Sequence, residues 1–374
     1  MERPTGDHHP EFVTPERFAW QQPKRLESPR GGVLIVSCHA GGYLAEKVRG
    51  RCTELLSEAG SRGLVPHLNG VDFQFSDSET CVRLDADVSG HDAFLFQALY
   101  APASHRSVDE NMVAFLTAAR ALREWGANYV TGVVPYLAYS RQDKPTKFKR
   151  EPTTARLVAD LIAAAGVSRL VTWHPHTGQI HGFYHGVPVD ALDALPLFTQ
   201  AYRRFAGRDD VIVVAPDAGA SKLVTYVGRA LNLPCAIASK FRPQREVAVI
   251  TEIIGDLSGK RMAIVLDDII SSGGTMEAVI QKLATDSGIE EVYLGVSHNL
   301  CRDVAVERIE WLHDSFNLRG VLVTDSIPQS DAFKALPYTA VRSLSDILAR
   351  VINRIHYNRP VSDLSTIPTL SQES

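Results

Sequence analysis

Short runs of β-branched and apolar residues alternate along the chain with longer segments whose apolar positions recur at helical spacing. From Gly32 onward the apolar runs predict strands at 33–37, 93–97, 129–135, 170–173, 211–215, 235–238, 262–266, 292–296 and 320–324. The helical spacing predicts helices at 43–59, 108–125, 153–165, 222–231 and 344–356, and one that begins at Met276. This alternation is typical of a parallel sheet covered by helices, and it occurs twice. We therefore predict an α/β fold with two similar domains, each a mostly parallel sheet flanked by helices.

The same pattern suggests where the domains begin and end. Residues 1–30 are polar and contain several prolines, so we predict a flexible N-terminal extension. We expect the first domain at 31–192 and the second at 193–339. The C-terminal helix, at 340–358, is expected to join the first domain, and 359–374 form a polar tail.

The composition of the chain limits the classes of protein to which it can belong. With 374 residues, 45% of them hydrophobic and 22% charged, the chain is long enough for two globular cores. A net charge of −4 predicts no general attraction to nucleic acid or to anionic membranes. No apolar stretch approaches the roughly 20 residues that span a bilayer. Five scattered cysteines favour reduced thiols over a disulfide framework or a zinc site, so we expect a cytoplasmic protein without a nucleic-acid or membrane partner.

The segment 264–275 is the most informative part of the chain. An apolar strand leads to Asp267 and Asp268, and the small-residue turn 271–275 then leads into a helix. Glycine allows close approach of the backbone to a ligand, and the free N–H groups of a helix start favour a phosphate. The carboxylates are well placed for ribose hydroxyls, directly or through a metal. Together these features suggest a ribose-5-phosphate site, although taken alone they equally describe a polar turn.

Other segments contain candidate binding residues, but each of these segments taken alone also has an ordinary structural explanation. Asp217 follows a predicted strand and either binds a ligand there or caps the next helix, and in the first case Lys222 behind it could receive a second phosphate-like group. The segments 139–150 and 239–245 are basic, and each is either a phosphate-binding loop or an ordinary solvated loop. Three histidines crowd one segment, where they suit metal or phosphate contact as well as plain hydrogen bonding; they are His174, His176 and His181.

Taken in order, these segments resemble the ribose-phosphate pyrophosphokinases, from about Gly32 to Leu364. The loop at Asp267 is also similar to that of type I phosphoribosyltransferases, but the segments 75–79 and 141–143 resemble only the first family. The resemblance extends to the frame around His176, to the turn 215–219, to 240–243 and to 324–328. It implies two phosphoribosyltransferase-like domains, the first on the ATP side and the second on the ribose 5-phosphate side.

The resemblance also implies an activity and a set of site residues. The substrates would be ATP and ribose 5-phosphate, Mg²⁺ the cofactor, and nucleotide biosynthesis the setting. The protein would be a homo-oligomer, at least a dimer and commonly a hexamer, with Phe75, Asp77 and Glu79 reaching a neighbouring subunit's ATP. The expected catalytic residues are Lys240 and Arg242, and the other ATP-binding residues are Arg141, Gln142, Asp143 and His176. The expected ribose-5-phosphate-binding residues are Asp217, Asp267, Asp268, Ser271, Ser272, Gly273, Gly274 and Thr275, and the expected metal contacts are His176 and Asp217.

Three positions depart from the family's usual pattern. His174 stands where an aspartate usually precedes the histidine by two residues, Ser271 replaces a third acid of the sugar loop, and Ala220 replaces a second glycine. His174 and Ser271 leave open a regulatory subunit that binds nucleotide beside an active homologue. A second alternative is a phosphoribosyltransferase with no use for ATP, which would share the loop at Asp267. The presence of Lys240 and Arg242 favours an active diphosphotransferase.

Overall fold

The chain alternates strands and helices, and each predicted strand and helix has a counterpart at its place in the chain, although the structure adds elements between them, such as the helix Asp303–Phe316. The structure, a computed structural model, describes residues 27–244 and 247–365. Its strands are β1 (Glu27–Ser28), β2 (Gly31–Ser37), β3 (His67–Asn69), β4 (Asp72–Gln74), β5 (Thr80–Val82), β6 (His91–Phe96), β7 (Tyr129–Val133), β8 (Arg169–Trp173), β9 (Val189–Leu192), β10 (Val211–Ala215), β11 (Cys235–Gln244), β12 (Val247–Ile254), β13 (Met262–Ile270), β14 (Glu291–Asn299), β15 (Leu318–Thr324) and β16 (Thr339–Arg342).

The α-helices pack on the sheets that these strands form. They are α1 (Gly42–Glu58), α2 (Val108–Glu124), α3 (Thr154–Ala164), α4 (Leu195–Tyr202), α5 (Ser221–Leu231), α6 (Gly274–Asp286), α7 (Asp303–Phe316), α8 (Asp331–Ala335) and α9 (Ser345–His356). Within this part of the chain, no helix is long and apolar enough to cross a membrane.

Two sheets organise the molecule. The first has the order β1-β2-β6-β7-β8-β9, with β3 also paired to β2, and only β1 runs antiparallel to its neighbour. The second has the order β12-β11-β10-β13-β14-β15-β16, and only β12 runs antiparallel. The predicted α/β fold, with two similar and mostly parallel sheets flanked by helices, is therefore confirmed.

The central strands read as continuous apolar runs because helices cover both faces of a parallel sheet. In β10 all five residues, Val-Ile-Val-Val-Ala, are buried. Helix ends are set by local chemistry as well. Ser107 caps α2, where its side chain accepts from the N–H of Glu110 while the Glu110 carboxylate accepts from the N–H of Ser107.

One hydrophobic core continues from the first half into the second. It includes Ile35 of β2, Val213 of β10 and Leu348 of α9, each at most 1% exposed. Helix α9 also packs along α1, where Arg51 Nε donates to Asp346 Oδ1 over 2.8 Å. This packing supports the assignment of the C-terminal helix to the first domain, and the domain limits at 192 and 339 remain predictions.

Two predicted boundaries were wrong. Strand β13 does not end before the acidic pair but continues through Asp267 and Asp268 to Ile270, because it pairs with β14 as far as Asn299. The segment 239–245 was expected to be a loop. Its residues up to Gln244 instead extend β11, whose backbone pairs antiparallel with β12. The strand at 292–296 is predicted, but the extent of its pairing with β13 cannot be read from local sequence, and β12 is not predicted at all.

Candidate active site

A cleft of about 670 Å³ lies between the two halves of the molecule. Its walls come from residues 141–193 of the first half and 217–276 of the second. The carboxyl ends of β8, β10 and β13 meet at this cleft, which is where open α/β sheets place their ligands. This position agrees with the expectation that each half of the molecule contributes the binding residues for one substrate.

The turn 271–275 lines the cleft. Gly273 has a φ of 81°, a left-handed conformation that favours glycine, and α6 begins at the next residue. Arg308 of α7 supports the turn from behind, because it donates to the carbonyl oxygen of Ser272 over 2.6 Å and pairs with Glu277 at 2.7 Å. The amino end of a 13-residue helix therefore faces the cleft, an arrangement that favours an anion.

Three of the carboxyl groups that line the cleft come from strand ends of the second sheet: those of Asp217, Asp267 and Asp268. Burial raises the pKa of Asp267 well above its ordinary value, and the nearby carboxylates of Asp268 and Asp217 raise it further. The Asp267 carboxyl also accepts the N–H of Asp268 over 2.9 Å. A site with this concentration of acids favours a bound cation or hydroxyl donors, because either reduces the repulsion.

His176 bridges the cleft to the acidic pair. Its Nδ1 lies 2.6 Å from Asp268 Oδ2, although the two residues come from different halves of the chain. Burial would raise the pKa of Asp268, but the hydrogen bond and the charge of His176 outweigh burial and lower that pKa to about 2. The same bond raises the pKa of His176. A charged pair is thus favoured at this point of the cleft.

His174 lies two residues earlier and makes a second bridge. Its Nδ1 is hydrogen-bonded to Ser297 Oγ on β14, and its carbonyl oxygen lies 3.1 Å from His298 Nε2. Burial lowers the pKa of His174, and it lowers that of His298 to about 4. Both rings are therefore neutral at physiological pH, and both hold their neighbours through hydrogen bonds.

Only some of the residues that were expected to bind the nucleotide lie at the cleft. Arg141 and Asp143 line it together with Lys144, whereas Gln142 is exposed beside it and its backbone closes a turn with Tyr139 and Ala155. The segment 75–79 lies elsewhere, at the tip of the β4–β5 hairpin. There Phe75 is 52% exposed, the Asp77 carboxylate accepts the N–H of Glu79, and none of the three contributes to the lining of this cleft.

Lys240 and Arg242 belong to β11 by backbone pairing, and their side chains lie outside the described part of the structure. Lys222 of α5 lines the cleft behind the turn at Asp217, where the sequence suggests a cation. Sequence reasoning missed three other residues that the structure places at the site. Tyr226 of α5 lines the cleft, and Arg308 and Ser297 support it from α7 and β14. All three lie in unremarkable segments.

The acidic groups fit a magnesium ion whose remaining ligands would come from the substrate and from water. In the described part of the chain, no three His, Cys, Asp or Glu side chains converge closely enough to hold a metal by themselves. Mg²⁺ usually keeps several waters and binds one or two carboxylates together with substrate phosphates. Asp217 and Asp268 face the cleft and can supply such carboxylates.

Comparisons with known proteins agree with this geometry. Residues 33–166 match the family model of the N-terminal domain of ribose phosphate pyrophosphokinase, and 211–365 match that of the phosphoribosyl synthetase-associated domain. The chain is 37% identical to a ribose-phosphate pyrophosphokinase of Caldanaerobacter subterraneus subsp. tengcongensis, over 78% of this chain and 88% of the relative. It is also 37% identical to one of Chromobacterium violaceum, over 78% and 85%.

A solved structure gives the same answer at the level of the fold. Phosphoribosylpyrophosphate synthetase from Mycobacterium smegmatis superposes with a TM-score of 0.72 at 30% identity. The match covers 87% of this chain and 99% of that one.

Proposed function

The chain belongs to the ribose-phosphate pyrophosphokinase family, and we propose that it transfers the diphosphate of ATP to the anomeric hydroxyl of ribose 5-phosphate, giving 5-phosphoribosyl 1-pyrophosphate and AMP. The observation that carries this proposal is the cleft between the halves, which combines a phosphate turn, an acidic pair and a basic wall. Relatives with the family name cover most of the chain, which favours an active enzyme over a regulatory subunit.

The second half would bind the sugar phosphate. The 5-phosphate fits the turn 271–275, where backbone N–H groups at the start of α6 and the small side chains can surround its oxygens. Asp267 and Asp268 then face the ribose hydroxyls as hydrogen-bond acceptors. Ser271 keeps this end of the cleft less acidic than a third aspartate would.

The first half would bind the nucleotide. Arg141 offers a planar cation to phosphate oxygens, and Asp143 lies beside it as a hydrogen-bond acceptor. We place Gln142 with this group as a contact to the base or ribose. His176 reaches across the cleft to Asp268, so it stands where the triphosphate would approach the sugar.

In the reaction, the anomeric hydroxyl loses its proton to solvent as its oxygen forms a bond to the β-phosphorus. The bond from that phosphorus to the bridging α-phosphate oxygen breaks, and AMP leaves with the bonding electrons. Charge accumulates on the transferring phosphoryl oxygens, and nearby cations stabilise it. We assign this role to Lys240 and Arg242, which lie on the β11–β12 hairpin. Mg²⁺ bound with the triphosphate would supply further neutralisation, with the carboxylates of Asp217 and Asp268 as the protein contacts. His176, charged in its pair with Asp268, would donate to the phosphate oxygens instead.

The position of Phe75, Asp77 and Glu79 supports a site that is completed across subunits. These residues lie at an exposed hairpin tip outside the cleft of their own chain. We therefore propose a homo-oligomer, at least a dimer and commonly a hexamer, in which this tip contacts the adenine bound by a neighbour. The cysteines of the described residues are free thiols, which supports a reducing, cytoplasmic setting.

The test is to incubate the purified chain with ATP, Mg²⁺ and ribose 5-phosphate and to follow AMP and phosphoribosyl pyrophosphate by mass-resolved chromatography. We expect both products in equal amounts, and loss of both in Lys240→Ala. The matched control is Lys260→Ala, which removes a half-buried lysine between β12 and β13 that bonds to the Asp209 carbonyl oxygen and does not line the cleft; it should leave the rate unchanged. ATP binding without either product would contradict the proposal and favour a regulatory subunit.

A further inference from the structure

Resting on the proposed function, we propose that His174 is a positioning residue for diphosphate transfer. Its bonds to Ser297 and His298 fix the end of β8 against β14 and thereby hold His176 in place against Asp268. His174 thus acts through other residues, and its role differs from that of a metal-binding carboxylate.

The backbone of His174 is shaped for this role. The residue follows β8 directly, and its φ of 39° lies in the left-handed region, which histidine, asparagine and aspartate tolerate better than most residues. Its N–H donates to the carbonyl oxygen of Leu192 at the end of β9 over 2.8 Å. The turn that carries the histidine side chain out of the first sheet is therefore fixed at its base.

The side chain then crosses to the second sheet. His174 Nδ1 is hydrogen-bonded to the hydroxyl of Ser297, a fully buried residue of β14. The Ser297 backbone is itself held, because its carbonyl oxygen accepts the Thr324 hydroxyl of β15 over 2.6 Å. The partner of His174 is thus a rigid point inside a sheet and not a surface side chain.

His298 adds a bond to the backbone of the same residue. A carbonyl oxygen only accepts, so the His298 Nε2 that lies 3.1 Å from the His174 oxygen must carry the proton. The neutral ring then accepts at Nδ1 from the hydroxyl of Ser326, 2.8 Å away. His174 is therefore tied to β14 through its side chain and through its carbonyl group.

These ties lie beside the bridge that crosses the cleft. In the parallel pairing of β13 with β14, Asp267 is opposite Val296 and Ile269 is opposite His298, so Asp268 lies alongside Ser297. Two residues of the first half, His174 and His176, thus bond to neighbouring positions on two paired strands of the second half. Two bridges this close together restrict rotation as well as separation of the two sides.

Restricting this motion matters because the two substrates come from opposite sides. Sugar and triphosphate must meet with their reacting atoms about 3–3.5 Å apart, and a displacement of about 1 Å can cost about a hundredfold in rate. Loss of the His174 bridge leaves each half able to bind its own substrate. We therefore expect a fall in kcat, with little change in either KM.

The experiment compares four variants: His174→Gly, His174→Asn, Ser297→Ala, and the double variant His174→Gly/Ser297→Ala. Glycine and asparagine both accept a positive φ, so their difference isolates the side-chain bond. Asparagine keeps a polar atom near the place of Nδ1. We expect kcat to fall about tenfold or more in His174→Gly and Ser297→Ala, with KM for both substrates within about twofold, and His174→Asn to retain most of the wild-type kcat.

The double variant decides whether the two residues act as a pair. If they do, it will be no slower than the slower single variant, because the same bond is lost only once. Additive losses, an unchanged kcat in His174→Gly, or equal losses in the glycine and asparagine variants would overturn the proposal. The same four variants compared by urea unfolding report the bond between His174 and Ser297 without any need for activity. A wild type that forms no product would therefore contradict the proposed function but would leave the test of this bond intact.

Discussion

His176 Nδ1 and Asp268 Oδ2 lie 2.6 Å apart, although 92 residues separate them along the chain. The histidine comes from the loop after β8 and the aspartate from within β13, so their bond joins the two sheets across the cleft. The pKa of Asp268 is lowered to about 2 by this partner, against the effect of burial. The pair therefore keeps a carboxylate charged at the point where sugar and triphosphate are proposed to meet.

Asp268→Asn should reduce kcat by about a hundredfold, because it removes the charge that holds His176 and weakens contact with the ribose hydroxyls. Initial rates of AMP formation at saturating substrates measure this. The matched control is Asp286→Asn, which removes an exposed carboxylate at the end of α6 that pairs with Lys282. Equal rates in the Asp268 variant and the wild type would exclude a role for this pair in the reaction.

Gly273→Ala tests the phosphate turn. An alanine at a φ of 81° is strained by roughly 1–2 kcal/mol, and relaxation of the turn would move the N–H groups that face the 5-phosphate. We expect the KM for ribose 5-phosphate to rise about tenfold while the KM for ATP stays nearly constant. Steady-state kinetics with each substrate varied in turn gives both values.

Gly288→Ala is the control for backbone strain. Gly288 has a φ of 67°, and a Cβ added there meets nothing within 4 Å. The two alanine variants should lose comparable stability in urea unfolding, but only the change at Gly273 should alter the KM for the sugar phosphate. A similar rise in KM for both variants would show that general destabilisation, and not the turn, is responsible.

Local pattern in the sequence predicts most of the fold because each central strand is an apolar run covered on both faces. The strand at 211–215 is confirmed residue for residue, and the helix expected at 108–125 ends only one residue earlier. The failures have a common cause. Aspartate is unfavourable in strands, and a basic segment usually forms a loop, but pairing with β14 and β12 outweighs both preferences.

The candidate site, like the fold, can be predicted from the sequence only in part. The turn 271–275 and the acidic pair are contiguous, so the sequence exposes them. Ser297 does not stand out, because its contact with His174 is made across 123 residues and only in the folded chain. The resemblance marks His174 as a departure from the family's pattern, and the structure adds what this residue contacts instead.

The hairpin tip at Phe75 leads to a prediction about assembly. If the tip completes a neighbour's site, chains with Phe75→Ala and chains with Lys240→Ala should complement each other when they are co-assembled. In a random equal mixture, about a quarter of the sites would receive an intact lysine from one chain and an intact phenylalanine from its neighbour. Each homogeneous variant should be nearly inactive.

The measurement is the rate of AMP formation before and after the two variants are unfolded, mixed and refolded together. Recovery towards a quarter of the wild-type rate would support sites shared between subunits. A mixture that is no more active than its components, although co-purification through an affinity tag on one variant shows mixed oligomers, would place the ATP site within one chain. Mixing without refolding is the control, because subunits that do not exchange cannot complement.

His298 should make the protein sensitive to acid. The unfolded imidazole takes up a proton below about pH 6.5, whereas burial prevents the folded one from doing so until about pH 4. Because the unfolded state binds more protons in this window, the free energy of unfolding falls as the pH is lowered from 6.5 to 4. The pKa difference corresponds to a loss of about 3 kcal/mol from this one residue.

His298→Gln removes the titrating ring but keeps an amide that can donate to the His174 carbonyl group. We expect the variant to be less stable than the wild type at pH 7.5 and the gap to narrow steadily towards pH 4. Urea unfolding at half-unit pH steps measures the difference between the two curves. His185→Gln, which removes an exposed imidazole, controls for the loss of one histidine. A constant gap between wild type and His298→Gln across the whole range would mean that His298 is protonated equally in the folded and unfolded states, and the buried network would then have to hold a charged ring.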